Sequence, residues 1–152
     1  MFSWFGRVNF APYSKVHEFA VHLKDGRLMG SRCRSCGKGS FPPRADCADC
    51  MSPDFEFREY SGKGKLFTHS RIAAAPTGFE DEVPYTIAVV DLEEGGRLLA
   101  WIGDSIPEDQ IEIDMEVQVV PRIAEECEEI RVFYSVEKPG TTWGKAPAPH
   151  LG

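Results

Sequence analysis

Two cysteine pairs, Cys33-x-x-Cys36 and Cys47-x-x-Cys50, constrain the fold of this chain more than any other sequence feature. Each pair places two sulfurs on one side of a tight turn, and two such turns supply four thiolates at tetrahedral positions. Four sulfur ligands leave no open coordination position, which is typical of a structural zinc site. The sequence therefore predicts a module over residues 28–53 in which Cys33, Cys36, Cys47 and Cys50 bind Zn²⁺.

Two other chemistries use the same ligands. A thioredoxin-like redox pair requires a βαβ context, and no such pattern surrounds either pair. Iron can occupy a rubredoxin-like site, because four thiolates suit both metals. A redox or metal-storage module is therefore an alternative, which one redox-silent zinc per chain would exclude. Between the pairs, we expect Phe41 to pack beneath the metal-binding turns.

Length and composition restrict the class of protein. The chain has 152 residues, which suits one domain or a small core with a satellite module. It contains no run of 18 apolar residues that would span a membrane. The first ten residues, MFSWFGRVNF, have no cationic lead, unbroken apolar core or cleavage site of a signal peptide. We therefore expect a cytoplasmic protein without a membrane partner.

Hydrophobic periodicity predicts one helix followed by β structure. Ser14 suits an N-cap, and Asp25-Gly26 suits a helix end. Four apolar residues between them recur at helical spacing: Val16, Phe19, Ala20 and Leu23. Strands are predicted at 55–60, continuing past a glycine bend into 65–72, and at 85–92, 97–102, 115–119 and 130–136.

Five strands with turn signals and little helix fit a partly open barrel of the OB type. The predicted fold is mainly β: an N-terminal segment and helix over residues 1–27, a zinc ribbon over 28–53, a five-stranded OB-fold over 54–137 and an extended tail over 138–152.

The net charge of −7 is unevenly distributed along the chain. Residues 27–71 carry a net +4, whereas residues 72–137 carry −14. An acidic stretch is usually a solvated face, but it can also steer a basic partner. Five basic side chains are candidates for a local anion site: Arg44, Lys63, Lys65, Arg71 and Arg97. Each alone is more typical of a solvated charge, so this interpretation depends on their clustering.

The residues outside the metal motif offer no recognisable catalytic group. The fifth cysteine, Cys127, lies among four glutamates, which disfavour a thiolate and make it a poor nucleophile. His17 and His22 are five residues apart and do not share a helix face well. His69, on a predicted strand, suits a structural role. We therefore predict no catalytic residue and a chain that is not an enzyme on its own.

The order of several motifs resembles the DUF35 family, whose members join a rubredoxin-like zinc ribbon to an OB-fold. The resemblance covers residues 14–137. The motifs that carry it are Cys33–Gly37, Phe41–Arg44, Cys47–Cys50, Ser61–Gly64, Pro84-Tyr85, Val90–Leu92 and Gly95–Arg97.

The resemblance implies a partner and a ligand. DUF35 proteins are usually small partners of thiolase-fold subunits that carry the chemistry. The resemblance thus implies that this chain is a non-catalytic subunit of a heterotetramer. The complex would catalyse thiolysis of a 3-oxoacyl-CoA. The chain is similar to family members that serve benzoylsuccinyl-CoA cleavage in anaerobic toluene degradation. Family members that are partners of acetoacetyl-CoA thiolase or of steroid side-chain aldolases are the alternatives. Coenzyme A or acyl-CoA would then be the anion that Arg44, Lys63, Lys65, Arg71 and Arg97 bind.

Four aromatic residues are candidates for the interface with such a partner. Trp4, Phe5 and Phe19 belong to an N-terminal region rich in aromatics, and Trp143 stands alone in a tail with no core pattern. A lone exposed tryptophan is often an interface anchor. Packing of the helix on the protein's own core is the alternative for Phe19.

An OB-fold that binds single-stranded nucleic acid is the second hypothesis, since OB barrels commonly bind extended polar ligands. The negative net charge, and the scarcity of interleaved cationic and aromatic residues on the later strands, speak against it. Submicromolar, salt-sensitive oligonucleotide binding would support it.

Overall fold

A computed structural model describes residues 14–77, 80–124 and 130–146 of the chain. The predictions that concern Trp4, Phe5 and Cys127 lie outside these residues. The described elements, in chain order, are α1 (Glu18–Lys24), β1 (Met29–Cys33), β2 (Gly39–Ser40), β3 (Phe55–Glu59), β4 (Lys63–Ile72), β5 (Tyr85–Leu92), β6 (Arg97–Ile102), β7 (Glu116–Ala124), β8 (Val132–Glu137) and β9 (Gly144–Ala146). Short 3-10 turns lie at Glu80–Glu82 and Glu108–Gln110. No described helix is long and apolar enough to cross a membrane.

The predicted helix is present but starts later than its first apolar residue suggests. His17, rather than Ser14, is the residue at its N-cap. Ser14 instead organises the preceding turn, where its backbone carbonyl accepts a hydrogen bond from the His17 N–H at 3.1 Å. Phe19, Ala20 and Leu23 are buried as the periodicity predicts. The helix thus presents one apolar face to the core.

The helix ends in a Schellman motif centred on Gly26. The Gly26 N–H donates to the Leu23 carbonyl at 3.0 Å, and the Arg27 N–H donates to the His22 carbonyl at 2.8 Å. Gly26 has a φ of +76°, and Trp143 covers it closely enough that an added Cβ would lie 2.8 Å from the indole Cγ. Trp143 also donates its Nε1–H to the Leu23 carbonyl at 3.3 Å. The tail is therefore fixed against the helix end.

Gly26→Ala is expected to lower the unfolding free energy by more than Gly140→Ala does. Both glycines have positive φ, +76° and +88°, but nothing lies within 4 Å of a Cβ added at Gly140. Backbone strain of about 1–2 kcal/mol applies to both variants, so any difference reports the displaced indole. Urea unfolding of the two variants measures that difference. Equal losses would contradict the packing of Trp143 on Gly26.

A small three-stranded sheet, in the order β2-β1-β3, forms the ribbon. β3 pairs antiparallel with β1 over its whole length, from Met29 opposite Glu59 to Cys33 opposite Phe55. The prediction that residues 55–60 begin the long first strand of the barrel is therefore wrong. Period-two alternation identified the strand but not its partner.

The larger sheet closes into a barrel. Its order is β4-β5-β6-β8-β7-β9, and β4 also pairs with β7. Closure involves five strands, β4 to β8, and includes a parallel contact between β6 and β8 at Trp101 opposite Ser135. The register of β4 against β5 shifts between Leu66 and Thr68. This bulge bends β4 so that it can pair with strands on both sides.

The predicted mainly β fold with an N-terminal helix, a ribbon and a five-stranded barrel is confirmed, although the barrel is closed rather than partly open. In the part of the tail that the structure describes, β9 pairs in parallel with the end of β7, a contact that the sequence does not predict. Closing the barrel leaves fewer free strand edges on the β4–β8 sheet.

The core is continuous between the ribbon and the barrel. Phe41, from the loop between the cysteine pairs, is 6% exposed. Its ring centroid lies 5.9 Å from that of Phe19, 5.4 Å from that of Tyr60 and 5.6 Å from that of Tyr134. Phe41 therefore packs between the helix, the ribbon and the barrel, which extends its predicted position beneath the metal-binding turns.

Candidate metal centre and the surfaces around it

Two backbone turns of the same construction present the cysteines. In the first, the Gly37 N–H donates to the Cys33 carbonyl at 2.9 Å, and the Cys33 N–H donates to the Lys38 carbonyl at 2.9 Å. In the second, the Met51 N–H donates to the Cys47 carbonyl at 3.1 Å, and the Cys47 N–H donates to the Ser52 carbonyl at 3.0 Å. The turns thus position the two cysteine pairs in the same way.

The four sulfurs converge on one point. All of them lie within 4.8 Å of one another, and the Cys33–Cys50 and Cys36–Cys47 sulfur pairs are each 3.5 Å apart. A tetrahedral site with Zn–S bonds of about 2.3 Å has sulfurs about 3.8 Å apart. The donor set and its spacing therefore fit a four-coordinate zinc ion. Among the described residues, these cysteines are the only such group of potential metal ligands.

Protonation differs between the four thiols. Hydrogen bonding from the Cys36 backbone, assisted by the thiol of Cys50, lowers the pKa of Cys33 to about 6. Hydrogen bonding from the Cys50 backbone likewise lowers the pKa of Cys47. At Cys50 the Ser52 backbone favours the thiolate, but proton sharing with the Cys33 and Cys36 sulfurs outweighs it and raises the pKa to about 12. The turns thus favour thiolates at Cys33 and Cys47, the form that binds metal.

The five predicted anion-binding residues do not form one cluster. Arg44 lies in the ribbon loop, whereas Lys63 and Lys65 are exposed on β4. Lys65 pairs in register with Asp91, which in turn pairs with Arg97, so these three side chains share the outer face of the barrel.

Arg71 lies on the other side of the β4 bulge. It pairs in register with Thr86, two residues from the buried Ala88 on β5, so it shares the face of β5 that points into the barrel. Its Nε lies 2.7 Å from the Glu108 carboxylate. The bulge therefore separates Arg71 from the two lysines of the same strand.

Opposite charges neutralise part of the outer face. Arg97 forms a two-point ion pair with Asp91, and its guanidinium lies over the Phe67 ring, 3.6 Å from the centroid. Glu116 on β7 stands opposite Lys65. Among the described residues, Arg44, Lys63 and Lys65 form no ion pair. Fewer of the five predicted anion-binding side chains are therefore without a counter-charge than the sequence suggests.

Phe19 is 2% exposed and packs against Phe41, so it offers no surface to a partner. The alternative reading, in which the helix packs on the core, describes its position. Trp143 is 46% exposed, although one side of its ring covers Gly26. Its outer side is available for further contact.

Two of the three described histidines, His17 and His22, have structural surroundings. His17 Nδ1 lies 2.7 Å from the Ser14 carbonyl, and the His22 ring centroid is 5.1 Å from that of Phe57. Burial lowers the pKa of His22, and the nearby Arg27 adds to this effect. His69 is exposed on β4.

A buried ion pair at the end of the barrel was not anticipated from the sequence. Arg122 Nη2 lies 3.1 Å from Glu137 Oε1, and the side chains are 10% and 4% exposed. Arg122 Nε donates to Ser135 Oγ at 3.3 Å, and Ser135 Oγ donates to Glu137 at 2.5 Å. The Ser105 hydroxyl also donates to Glu137.

This network lies beside an open groove of about 630 Å³ between the ends of β5, β6 and β8. The available sequence signal was an arginine flanked by apolar residues just beyond the predicted strand 115–119, in Val119-Val120-Pro121-Arg122-Ile123. This signal could not identify Glu137 as the partner, because Glu137 is 15 residues away on another strand and the pairing depends on the fold.

Comparison with known proteins agrees with this architecture. The family model described as "ChsH2, rubredoxin-like zinc ribbon domain" matches residues 21–56, and the one described as "ChsH2, C-terminal OB-fold domain" matches residues 57–122. A DUF35 domain-containing scaffold protein of Methanocaldococcus jannaschii is 44% identical over 103 residues, 66% of this chain and 72% of that protein.

Two further relatives are subunits or parts of named assemblies. The benzoylsuccinyl-CoA thiolase subunit BbsA of Thauera aromatica is 35% identical over 81 residues, 51% of this chain and 55% of that subunit. A solved structure described as the Ltp2-ChsH2(DUF35) aldolase contains a chain that is 27% identical, with a TM-score of 0.67. That match covers 88% of this chain and 98% of the solved one. The four converging cysteines, the closed barrel and these matches together show that the chain belongs to the DUF35 family, with a zinc ribbon followed by an OB-fold.

Proposed function

We propose that this chain is a non-catalytic subunit of an acyl-CoA-processing complex, in which a thiolase-fold partner carries the chemistry. The similarity to a chain of the Ltp2-ChsH2(DUF35) aldolase carries the proposal, because it extends over 98% of that chain and both domains. The names of the scaffold and thiolase-subunit relatives support the same role. We assign the reaction as thiolytic cleavage of a 3-oxoacyl-CoA.

In this role the four cysteines would hold zinc as a structural ion. When bound, zinc fixes the four thiolates of the two ribbon turns and supplies no open position for substrate. The residues of the chain then act by position: Phe41 connects the metal loop to the barrel core, and the aromatic contacts keep the ribbon in one orientation. A partner thus meets a rigid two-part surface.

The proposal includes coenzyme A as a ligand shared with the partner. Lys63 and Lys65 project from the same face of β4, are exposed and form no ion pair with a described residue. Two ammonium groups on one strand complement the phosphates of coenzyme A, which carry several negative charges. Arg97 stands on this face too, but Asp91 already accepts its hydrogen bonds.

The first experiment is to reconstitute this chain with a thiolase-fold protein, sought first among the products of the neighbouring genes. Neither protein alone should cleave a 3-oxoacyl-CoA at a useful rate, and the mixture should do so. The mass of the active species should equal two copies of each chain. Robust turnover by this chain alone, or failure of the two proteins to associate, would contradict the proposal.

The ligand assignment has its own test in the assembled complex. Lys63→Ala combined with Lys65→Ala should raise the KM for acyl-CoA about ten-fold, with kcat unchanged, since two phosphate contacts are lost. Lys38→Ala is the control, because that ammonium pairs with Asp49 at 3.3 Å in the ribbon. An unchanged KM in the double variant would show that Lys63 and Lys65 do not bind coenzyme A. The proposed role of the chain as a subunit would not be affected.

A further inference from the structure

One edge of the ribbon sheet is open within the described part of the chain. β3 pairs with β1 on one side, and the sheet order β2-β1-β3 places no described strand on its other side. The opposite edge of the sheet is shorter, because β2 has only two residues. An open strand edge presents unpaired N–H and carbonyl groups that can pair with another chain.

The hydrogen bonds just beyond the ends of β3 show which of its backbone groups face outward. The Arg34 N–H donates to the Asp54 carbonyl at 3.1 Å, and the Tyr60 N–H donates to the Leu28 carbonyl at 2.8 Å. Since bonding alternates along an antiparallel pair, the even-numbered residues of β3 bond to β1. The N–H and carbonyl groups of its odd-numbered residues therefore point away from β1, and no described strand bonds to them.

Antiparallel pairing of β3 with a second copy of itself, centred on Phe57, satisfies these outward groups. Phe57 then stands opposite its own copy, and residues 55 and 59 stand opposite each other, which gives about six hydrogen bonds between the chains. The two Phe57 rings form a cross-strand aromatic pair. Glu56 stands opposite Arg58 of the second copy, and opposite charges at facing positions stabilise a strand pair.

The sequence of β3 disfavours the other registers that its outward groups allow. Centring the pairing on Phe55 places Glu56 opposite Asp54, so that like charges meet. That register also brings Pro53 into the pairing, and proline has no N–H to donate. Centring the pairing on Glu59 places this carboxylate opposite its own copy. Only the register centred on the middle of β3 combines opposite charges with a complete set of donors.

The charged side chains of β3 are available for this contact. Arg58 is exposed and forms no ion pair with a described residue. The Glu56 side chain is 46% exposed, and its carboxylate lies 3.5 Å from Arg34 Nε. A carboxylate has two acceptor oxygens, so Glu56 can bond to Arg34 and to a second arginine. A second copy would therefore supply the counter-charge that Arg58 lacks within the described chain.

We propose that two copies of this chain associate by antiparallel pairing of β3 about Phe57, which joins their two ribbons into one continuous sheet. The inference goes beyond the proposed function, because the contact requires no thiolase-fold protein. It gives a physical reason for a complex to contain two copies of this chain.

The test measures the mass of the zinc-loaded full-length chain by sedimentation equilibrium. The wild type should shift from 17.0 kDa towards twice that mass as its concentration rises through the micromolar range. Arg58→Glu makes carboxylates face each other at two symmetry-related positions, so it should weaken dimerisation about ten-fold or more. Glu56→Arg should weaken it similarly. The double variant, which exchanges the two charges, should dimerise within about three-fold of the wild type.

A second variant tests the backbone pairing, and a third is the control. Glu59→Pro removes an outward N–H and leaves the bonds to β1 in place, so it should weaken dimerisation about ten-fold. Lys38→Glu makes the same charge change as Arg58→Glu, but beside β2 at the opposite edge of the sheet. It should change dimerisation by less than about two-fold. Every variant should keep the zinc content of the wild type.

Several results would overturn the inference. A wild-type chain that stays monomeric would do so, and its assembly with a thiolase-fold protein would still support the proposed function. A dimer that Arg58→Glu and Glu59→Pro leave unchanged would place the contact on another surface. A chain that dimerises only after deletion of residues 1–13 would assign the edge to that segment. A monomer whose Arg58→Glu variant binds the thiolase-fold protein more weakly would assign the edge to that protein.

Discussion

Cys47→Ser should reduce the zinc content from about one ion per chain to near none and unfold the ribbon. Structural zinc contributes on the order of 10 kcal/mol to folding small modules, which is comparable with the whole stability of a domain. The three-stranded sheet is short, and β2 has only two residues. Without metal, its few backbone hydrogen bonds should not hold it together.

Hydrogen exchange and metal analysis measure the two parts of this result. Amides of β1 and β3 should lose protection, whereas those of β5 and β6 in the barrel should keep most of theirs. Cys127→Ser is the control, because Cys127 lies outside the four-sulfur motif. A Cys47→Ser chain that retained a full equivalent of zinc, or a ribbon that kept its protection without metal, would contradict the structural role.

Glu137→Gln should lower the unfolding free energy by about 3–5 kcal/mol, because it leaves the Arg122 guanidinium buried without its counter-charge. The two side chains are 4% and 10% exposed and 3.1 Å apart. Arg122→Met should cause a loss of similar size, since it leaves the carboxylate unpaired. The double variant should lose less than the sum, by a coupling energy of about 1–3 kcal/mol.

Urea unfolding of the wild type, the two single variants and the double variant gives a double-mutant cycle. An exposed ion pair provides the comparison. Arg97 and Asp91 are 55% and 44% exposed, so Arg97→Met should cost less than about 1 kcal/mol. Additive losses in the Arg122 and Glu137 variants would show that the pair acts as two independent polar groups and not as one unit.

Features set by residues close in sequence could be predicted well from this chain. The spacing of Cys33, Cys36, Cys47 and Cys50 predicts the metal centre, since each turn is fixed by the residues within it. Helical periodicity identified the buried side of α1, including Leu23. The count of strands and turns was sufficient for the OB barrel.

Features set by long-range pairing could not be predicted. The alternation in residues 55–59 specifies a strand, but it does not specify whether β1 or a barrel strand is its neighbour. The bulge near Phe67 moves Arg71 away from Lys65, although both residues are on β4. With Arg44 in the ribbon loop, the charge cluster along the sequence therefore occupies three separate regions in space.

Trp143 is a residue for which the fold adds a contact that the sequence does not indicate. Its isolation in the tail predicts an anchor for a partner, and its described contacts are with Gly26 and Leu23 of the same chain. The ring is still 46% exposed, so contact with a partner stays a prediction. The sequence identifies a large apolar side chain that favours burial, whereas only the fold shows which surface it packs against.

The position of Phe41 has a consequence for how the two halves respond to each other. Its backbone belongs to the metal loop, yet its ring is held by Tyr60 and Tyr134, the latter on a barrel strand. A displacement of the cysteine sulfurs is therefore transmitted to the barrel by the packing of Phe41 against Tyr134. No flexible linker lies between them. Loss of the metal should then loosen the barrel first around Tyr134, where Phe41 packs, while the strands farther from the ribbon keep their structure.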